Sequence, residues 1–229
     1  MKCVCTSDTH LREPKLPDGD ILIHAGDACN IGTIQEFRRF LRWFWRLPHL
    51  HKIFVPGNHD RYVYDFQDAA RRMCEDRGIR LVIDEPVVIN RISFYGYPWT
   101  PIYGKTCGFM HPPDKYPSAL ARLMPLLPDV LITHGPPAGI LDRCPLPIGC
   151  PYLWDTVKMK QPPIHIFGHV HPESGGRRRV EWGSRSTIFA NVCATKDGWL
   201  PADSPVFTFD ISRDKGEPEI KLDDTSGLL

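Results

Sequence analysis

Gly57-Asn58-His59-Asp60 follows the apolar run Lys52-Ile53-Phe54-Val55 and the helix-breaking Pro56. A strand that stops at a Pro-Gly pair and then delivers Asn, His and Asp together presents polar groups for use. It does not pack them away. Four further stretches repeat the design, each after a short hydrophobic run: Asp8-Thr9-His10, Gly26-Asp27, Thr133-His134-Gly135 and Gly168-His169-Val170-His171. Working outward from them, residues 2–6, 20–24, 52–55, 129–132 and 164–167 read as strands. Residues 33–46 carry apolar side chains at helical spacing, with 34, 37, 40, 41, 44 and 45 apolar and Thr33 and Glu36 forming a capping box. Strands alternating with helices predict an α/β architecture, and ligands of such sheets gather beyond the carboxyl ends of the strands.

The remainder is expected to be more irregular. Residues 65–77 read as a second helix stopped by Gly78, and residues 80–97 as two or three strands that make the sheet mixed or antiparallel. Residues 98–117 read as a long loop rich in Pro and aromatics, residues 118–127 and 152–160 as short helices, and 187–192 and 205–211 as strands. The reading gives a single domain over residues 1–211 and a polar tail over 212–229. No apolar run reaches the ~20 residues needed to span a bilayer. The amino terminus enters a strand directly, without a signal-peptide core, so a cytoplasmic location is expected. A formal net charge of +1 gives no polyelectrolyte argument for nucleic acid or membrane. Nucleic acid is compatible as a partner but not favoured over a small phosphoester; oligomeric state is not legible. The eight cysteines read as reduced and mostly buried; a bridge between Cys144 and Cys150 is the alternative for that loop, and Cys29, two residues after Asp27, stands closest to the polar motifs.

If the strand ends meet, they supply Asp8, His10, Asp27, Asn58, His134, His169 and His171. Seven nitrogen and oxygen donors exceed what one divalent ion needs and suit two ions sharing a carboxylate. Imidazole and carboxylate favour zinc, manganese, iron or nickel over calcium, and the lack of cysteine argues against a structural zinc. Asp8/His10 and His169/His171 are each spaced at two, which in extended backbone directs both side chains to one side. A metal pair polarises a phosphoryl group and holds a hydroxide nucleophile, so no serine or cysteine nucleophile is needed. His59 is placed to protonate the leaving oxygen, with Asp60 or another carboxylate orienting its ring.

In this order, Asp-x-His, Gly-Asp, Gly-Asn-His-Asp, His-Gly and Gly-His-x-His resemble the calcineurin-like metallophosphoesterase superfamily. Ile23-His24-Ala25-Gly26-Asp27, Gly96-Tyr97-Pro98-Trp99 and Thr133-His134-Gly135-Pro136-Pro137 further resemble its metallophosphoesterase-domain-containing branch. The resemblance covers residues 3–211 and implies a four-layer α/β/β/α sandwich. It implies one metal on Asp8, His10, Asp27 and His171, and a second on Asp27, Asn58, His134 and His169, with His59 catalytic. Manganese is the ion expected to support activity in vitro. Some branch members carry Gly in place of the first His of the last motif and are poorly active, whereas His169 is present here. The expected activity is a phosphodiesterase on cyclic-nucleotide-like substrates. The alternatives are a nuclease or phosphomonoesterase on the same site, or a non-catalytic scaffold.

His24 and His165, alternating within strands, read as core residues. Arg177-Arg178-Arg179 reads first as a solvated charge run and second as a phosphate-facing rim. Trp43, Phe44 and Trp45 read as helix-packing groups, and Trp99, Tyr103 and Phe109 as candidate walls of a substrate pocket.

Overall fold

A computed structural model describes residues 1–102, 107–112, 127–196, 200–202 and 206–223. Two six-stranded mixed sheets face each other. The first runs in the order β12-β11-β1-β2-β3-β4, with β1 Lys2–Thr6, β2 Ile21–His24, β3 His51–Phe54, β4 Ile79–Leu81, β11 Phe207–Ser212 and β12 Glu219–Leu222. The second runs β9-β10-β8-β7-β6-β5, with β5 Glu85–Ile89, β6 Ile92–Tyr97, β7 Val130–Thr133, β8 Ile164–Phe167, β9 Arg177–Glu181 and β10 Ser186–Asn191. β1 to β4 are mutually parallel, as are β6, β7, β8 and β10; antiparallel strands flank each set.

Period-2 alternation divides the side chains into layers. Cys3, Cys5, Ile21, Ile23, Ile53 and Val55 of the first sheet meet Ile92, Phe94, Val130, Ile132, Ile164 and Ile166 of the second. The residues between them point outward. Val4, Leu22 and Phe54 pack under helix α1 (Ile34–Arg46), and Leu131, Phe167 and Phe189 pack with Leu153 and Val157 of helix α4 (Pro151–Lys160). The result is the expected α/β/β/α sandwich.

Helix α1 starts as its sequence dictates: Thr33 Oγ1 accepts from the Glu36 amide at 3.2 Å, and the Glu36 carboxylate accepts from the amides of Ile31, Gly32 and Thr33. Phe37, Phe40, Leu41, Trp43 and Phe44 bury its inner face, whereas Trp45 is 55% exposed and packs less than expected. The helix expected over 65–77 is α3 (Gln67–Glu75), and a further short helix, α2 (Arg61–Asp65), precedes it, divided from it by Phe66, which leaves helical geometry at φ −134° and ψ 53°. Asn90 and Arg91 both adopt positive φ, the two-residue geometry whose twist suits the β5–β6 hairpin. The polar tail begins later than residue 211: β11 reaches Ser212, and β12 pairs with it through Phe209 to Ser212. Alternating Ile220 and Leu222 against the inter-sheet core explain this strand. The helix expected over 118–127 falls, up to residue 126, outside the described residues, as does Tyr103.

The arginine run lies on β9, the edge of the second sheet. Arg177 sits over the Phe207 ring at 5.1 Å, Arg178 donates to the Gly139 carbonyl at 3.0 Å and Arg179 to Ser186 Oγ at 3.4 Å. The run is mainly solvated, as first expected, with Arg178 and Arg179 exposed on the edge strand, and its charges also discourage pairing of the edge with another chain. Phe109 is fully buried, edge-on to Tyr64 and Trp99, so it packs the loop and lines no open pocket. Among the described residues no disulfide forms, and Cys150 is a buried thiol. No helix among them is long and apolar enough to cross a membrane.

His24 and His165 are core residues, as expected, and fully buried. Burial pushes each imidazole down to about 3, so both fold as neutral rings. The unfolded chain protonates both near pH 6.5, so stability is complete above that value and declines as pH falls toward 3. Going from pH 7 to pH 5 should cost about 2 kcal/mol for each histidine. Urea unfolding in EDTA at both pH values checks this: His165→Leu should lose a substantial part of the decline. An unchanged decline would show that His165 does not carry it.

Candidate metal centre

Six parallel strands end on the same side of the sandwich and deliver the polar motifs there. Asp8 and His10 follow β1, Asp27 follows β2, and Asn58 and His59 follow β3; His134 follows β7, and His169 and His171 follow β8. β10, the sixth, delivers Cys193. These loops come together into two groups whose ligand atoms lie within 4.8 Å of one another: Asp8 with His10 and His171, and Asp27 with His134 and His169. The pairs spaced at two behave differently. Asp8 and His10 share a group, but His169 and His171 divide between groups. Extended backbone is not the cause, since Asp8, His10, Asp27 and His169 all have positive φ, between 44° and 69°. Tight left-handed turns aim these side chains, at a cost in backbone strain that the surrounding packing must hold.

Two of the four ligand rings are set by a backbone carbonyl. His10 Nδ1 donates to Cys29 O at 2.9 Å and His134 Nδ1 to Ala25 O at 3.0 Å. This turns each Nε2 toward the carboxylates, as the nitrogen that a metal ion would take in place of its proton. His134 Nε2 lies 3.2 Å from Asp27 Oδ1 and 2.9 Å from Asn58 Oδ1, which brings Asn58 to the second group. His171 Nε2 lies 3.3 Å from Asp8 Oδ1.

Glycine is required by close approach at two turns. A Cβ on Gly57 would lie 2.3 Å from Asp27 Oδ1, and one on Gly168 would lie 2.0 Å from Asp8 Oδ2. Gly26 adds a conformational reason, with φ at 101° beside the His134 ring.

His59 hydrogen-bonds through Nδ1 to the Asn30 carbonyl, and its backbone amide donates to Asp27 Oδ1 at 2.8 Å. The expectation that Asp60 orients this ring is not met. Asp60 is fully buried and its carboxylate accepts from the amides of Gly57, Cys29 and Ala28 at 2.8, 3.1 and 3.4 Å. It ties the loop after β3 to the loop after β2, which is a positioning role. Cys29 is likewise no reactive thiol, because burial and the Asp60 carboxylate push its thiol far up.

Burial of the carboxylates is offset by imidazoles. Burial favours neutral Asp8, but the His171 hydrogen bond and the His134 charge hold it below the usual carboxylate range; His134 does the same for Asp27. His134 rises to about 9 against its own burial because of Asp27. His169, with burial and His134 against its charged form, falls to about 4. The donor set is all oxygen and imidazole nitrogen, preformed and charge-balanced, and it fits divalent transition ions. Ser7, Asn191 and Cys193 also reach this region and no motif reading found them. Their only sequence signal is position: Ser7 precedes Asp8, and Asn191 ends a buried strand.

Gly168→Ala should displace the Asp8 carboxylate, destabilise the metal-free chain by about 1–3 kcal/mol through overpacking, and reduce metal uptake. Asp27→Asn should lower uptake too, without the steric term. Thermal unfolding in EDTA and elemental analysis check both; full uptake by Gly168→Ala would show that the glycine is not needed for close approach.

The family profile described as calcineurin-like phosphoesterase matches residues 1–173. Human metallophosphoesterase domain-containing protein 1 is 33% identical over 89% of this chain and 69% of its own length. A UPF0046 protein of Caenorhabditis elegans is 36% identical over 76% of this chain and 65% of its own. Among solved structures, phosphopantetheinyl hydrolase of Mycobacterium tuberculosis superposes with a TM-score of 0.58 at 18% identity, covering 90% of this chain and 94% of that one; at this identity the likeness concerns the fold alone. The strand order, the glycine-flanked ligands and the sequence matches agree, and the chain belongs to the calcineurin-like phosphoesterase family.

Proposed function

We propose that the chain is a phosphoesterase working with two divalent metal ions, and that its substrates are phosphodiesters of the cyclic-nucleotide kind. The observation that best supports this reading is the way Asp27 stands between two donor sets. Its Oδ1 lies 3.2 Å from His134 Nε2 and its Oδ2 lies 4.0 Å from His10 Nε2. In this reading Asp8, His10, Asp27 and His171 hold one ion; Asp27, Asn58, His134 and His169 hold the other, with Asp27 shared. When bound, the ions supply Lewis acidity for the phosphoryl oxygens and an acidified water as nucleophile.

The chain's own groups do the rest. His59 is partly exposed, as are His169 and His171, while Asp8, His10, Asp27, Asn58 and His134 are buried. The His59 ring lies edge-on to His10 with centroids 5.1 Å apart. Because Nδ1 donates to the Asn30 carbonyl, Nε2 is the end that carries or releases the proton for the leaving oxygen. The amide bond from His59 to Asp27 fixes that ring relative to the shared carboxylate. A scaffold would have no use for His59 so placed, and the net charge of +1 offers no field to gather nucleic acid. Thiols without disulfides suit the reducing cytoplasm.

Protein purified without chelator should carry about two metals per chain by mass spectrometry of its elements and hydrolyse bis-p-nitrophenyl phosphate, more so with added manganese. His59→Ala should keep both metals and lose turnover by about 10²–10⁴. Retained turnover would remove His59 from the chemistry, and an inert, metal-free wild-type chain after reconstitution would leave the scaffold standing.

A further inference from the structure

The carboxylate of Asp8 has two unlike oxygens. Oδ1 faces His171 Nε2 at 3.3 Å and takes the His169 amide at 3.1 Å. Oδ2 is surrounded by protein: Ser7 Oγ donates to it at 2.5 Å, the His169 amide at 3.0 Å and Cys193 Sγ at 3.2 Å. Ser7, Asp8 and Cys193 are all fully buried. Hydrogen bonds to an ionised acceptor in such surroundings are the strong ones.

These donors come from both sheets. Ser7 ends the run of β1, and Cys193 lies just beyond β10. The two segments pair where the sheets meet, with the Ser7 amide on Val192 O at 2.9 Å and the Ala194 amide on Ser7 O at 2.8 Å. Asn191 secures the arrangement: its Oδ1 accepts from the Cys193 amide at 3.1 Å, and its Nδ2 donates to the Val170 carbonyl, between His169 and His171, at 2.8 Å. Ser174 Oγ donates to the Cys193 carbonyl at 2.6 Å. One short segment, Asn191 to Cys193, therefore holds both a metal-side loop and a metal-side carboxylate.

We infer that Cys193 and Ser7 are positioning residues that occupy Oδ2 of Asp8, so that this carboxylate can meet a metal through Oδ1 alone. The inference rests on the metal centre proposed above. With Oδ2 saturated, Asp8 is preorganised as a one-oxygen ligand at a fixed angle beside His171. Removing a donor frees the carboxylate to rotate and leaves a buried anion less satisfied, which lowers metal affinity without touching a ligand. Cysteine suits the position because its thiol is a weak donor small enough for a closed seam, and serine can replace it as a donor there.

The test is manganese titration by calorimetry on the full chain after chelator treatment, with near-ultraviolet circular dichroism to check the fold. Cys193→Ala should bind manganese about 10–100-fold more weakly than wild type, and Cys193→Ser, which keeps a donor, should recover most of that loss. Ser7→Ala removes the second donor to the same oxygen and should weaken binding similarly; it decides the matter if Cys193→Ala does not fold. A Cys193→Ala chain that binds as wild type does, or a serine variant as weak as the alanine one, overturns the inference while the metal centre stands. A folded wild-type chain that takes up no manganese overturns both.

Discussion

Two carboxylates buried close enough to repel each other are the constraint on which the rest of this protein depends. Asp8 and Asp27 are 0% and 2% exposed, and the charge of Asp27 disfavours ionisation of Asp8. Buried anions are tolerated only with compensating charge or several hydrogen bonds. Both kinds of compensation are present. His134 and His171 balance the charge, and backbone amides, a hydroxyl and a thiol supply the bonds. A sandwich of two sheets provides this because its strands can all end at one seam. The hydrophobic layers hold the seam shut: the continuous core of Cys3, Ile21, Ile53, Phe94, Val130 and Ile164 fixes the sheets against each other, and the loops at the strand ends inherit that rigidity.

Much of this was legible from local pattern. Apolar runs of four or five residues that stop at Gly or at polar triplets marked β1, β2, β3, β7 and β8, and the strand boundaries fall within a residue or two. Thr33 and Glu36 announced helix α1, because a capping box is a local interaction. The seven candidate ligands were legible from their joint pattern, not from residue type alone: each follows a short apolar run, whereas His24, which ends a buried strand by itself, is a core residue. Helix α2 was hidden, because the break at Phe66 is a matter of two dihedral angles at a residue that usually sits well in a helix.

What the sequence concealed depends on contacts across long separations. Cys193 touches Asp8 across 185 residues, and no spacing rule reaches that far. Asp60 looked like a partner of its neighbour His59, yet a carboxylate goes to the unsatisfied amides nearest it in space, here those of Gly57, Ala28 and Cys29. The spacing of two in Asp-x-His and His-x-His suggested extended backbone, whereas left-handed turns do the aiming. Such turns are invisible in sequence unless glycine occupies them, and here Asp and His do.

His24 and His165 complete the logic of the seam. Each lies on the outer face of a different sheet, and each hydrogen-bonds a threonine adjoining a ligand: His24 to Thr9 at 3.0 Å, between Asp8 and His10, and His165 to Thr133 at 2.9 Å, beside His134. Thr133 Oγ1 donates its own hydrogen bond to the Gly135 carbonyl at 2.6 Å, so His165 Nε2–H is the donor to it. A neutral imidazole serves better here than an apolar ring because it fills the core against Phe167 and Phe189 while still offering one N–H to the loop above. The two sheets thus support their ligand turns in the same way, from beneath, with a group whose burial keeps it uncharged. Strained turns need such support, because each left-handed Asp or His costs on the order of 1–3 kcal/mol, and only a packed, hydrogen-bonded base holds several of them in register at once.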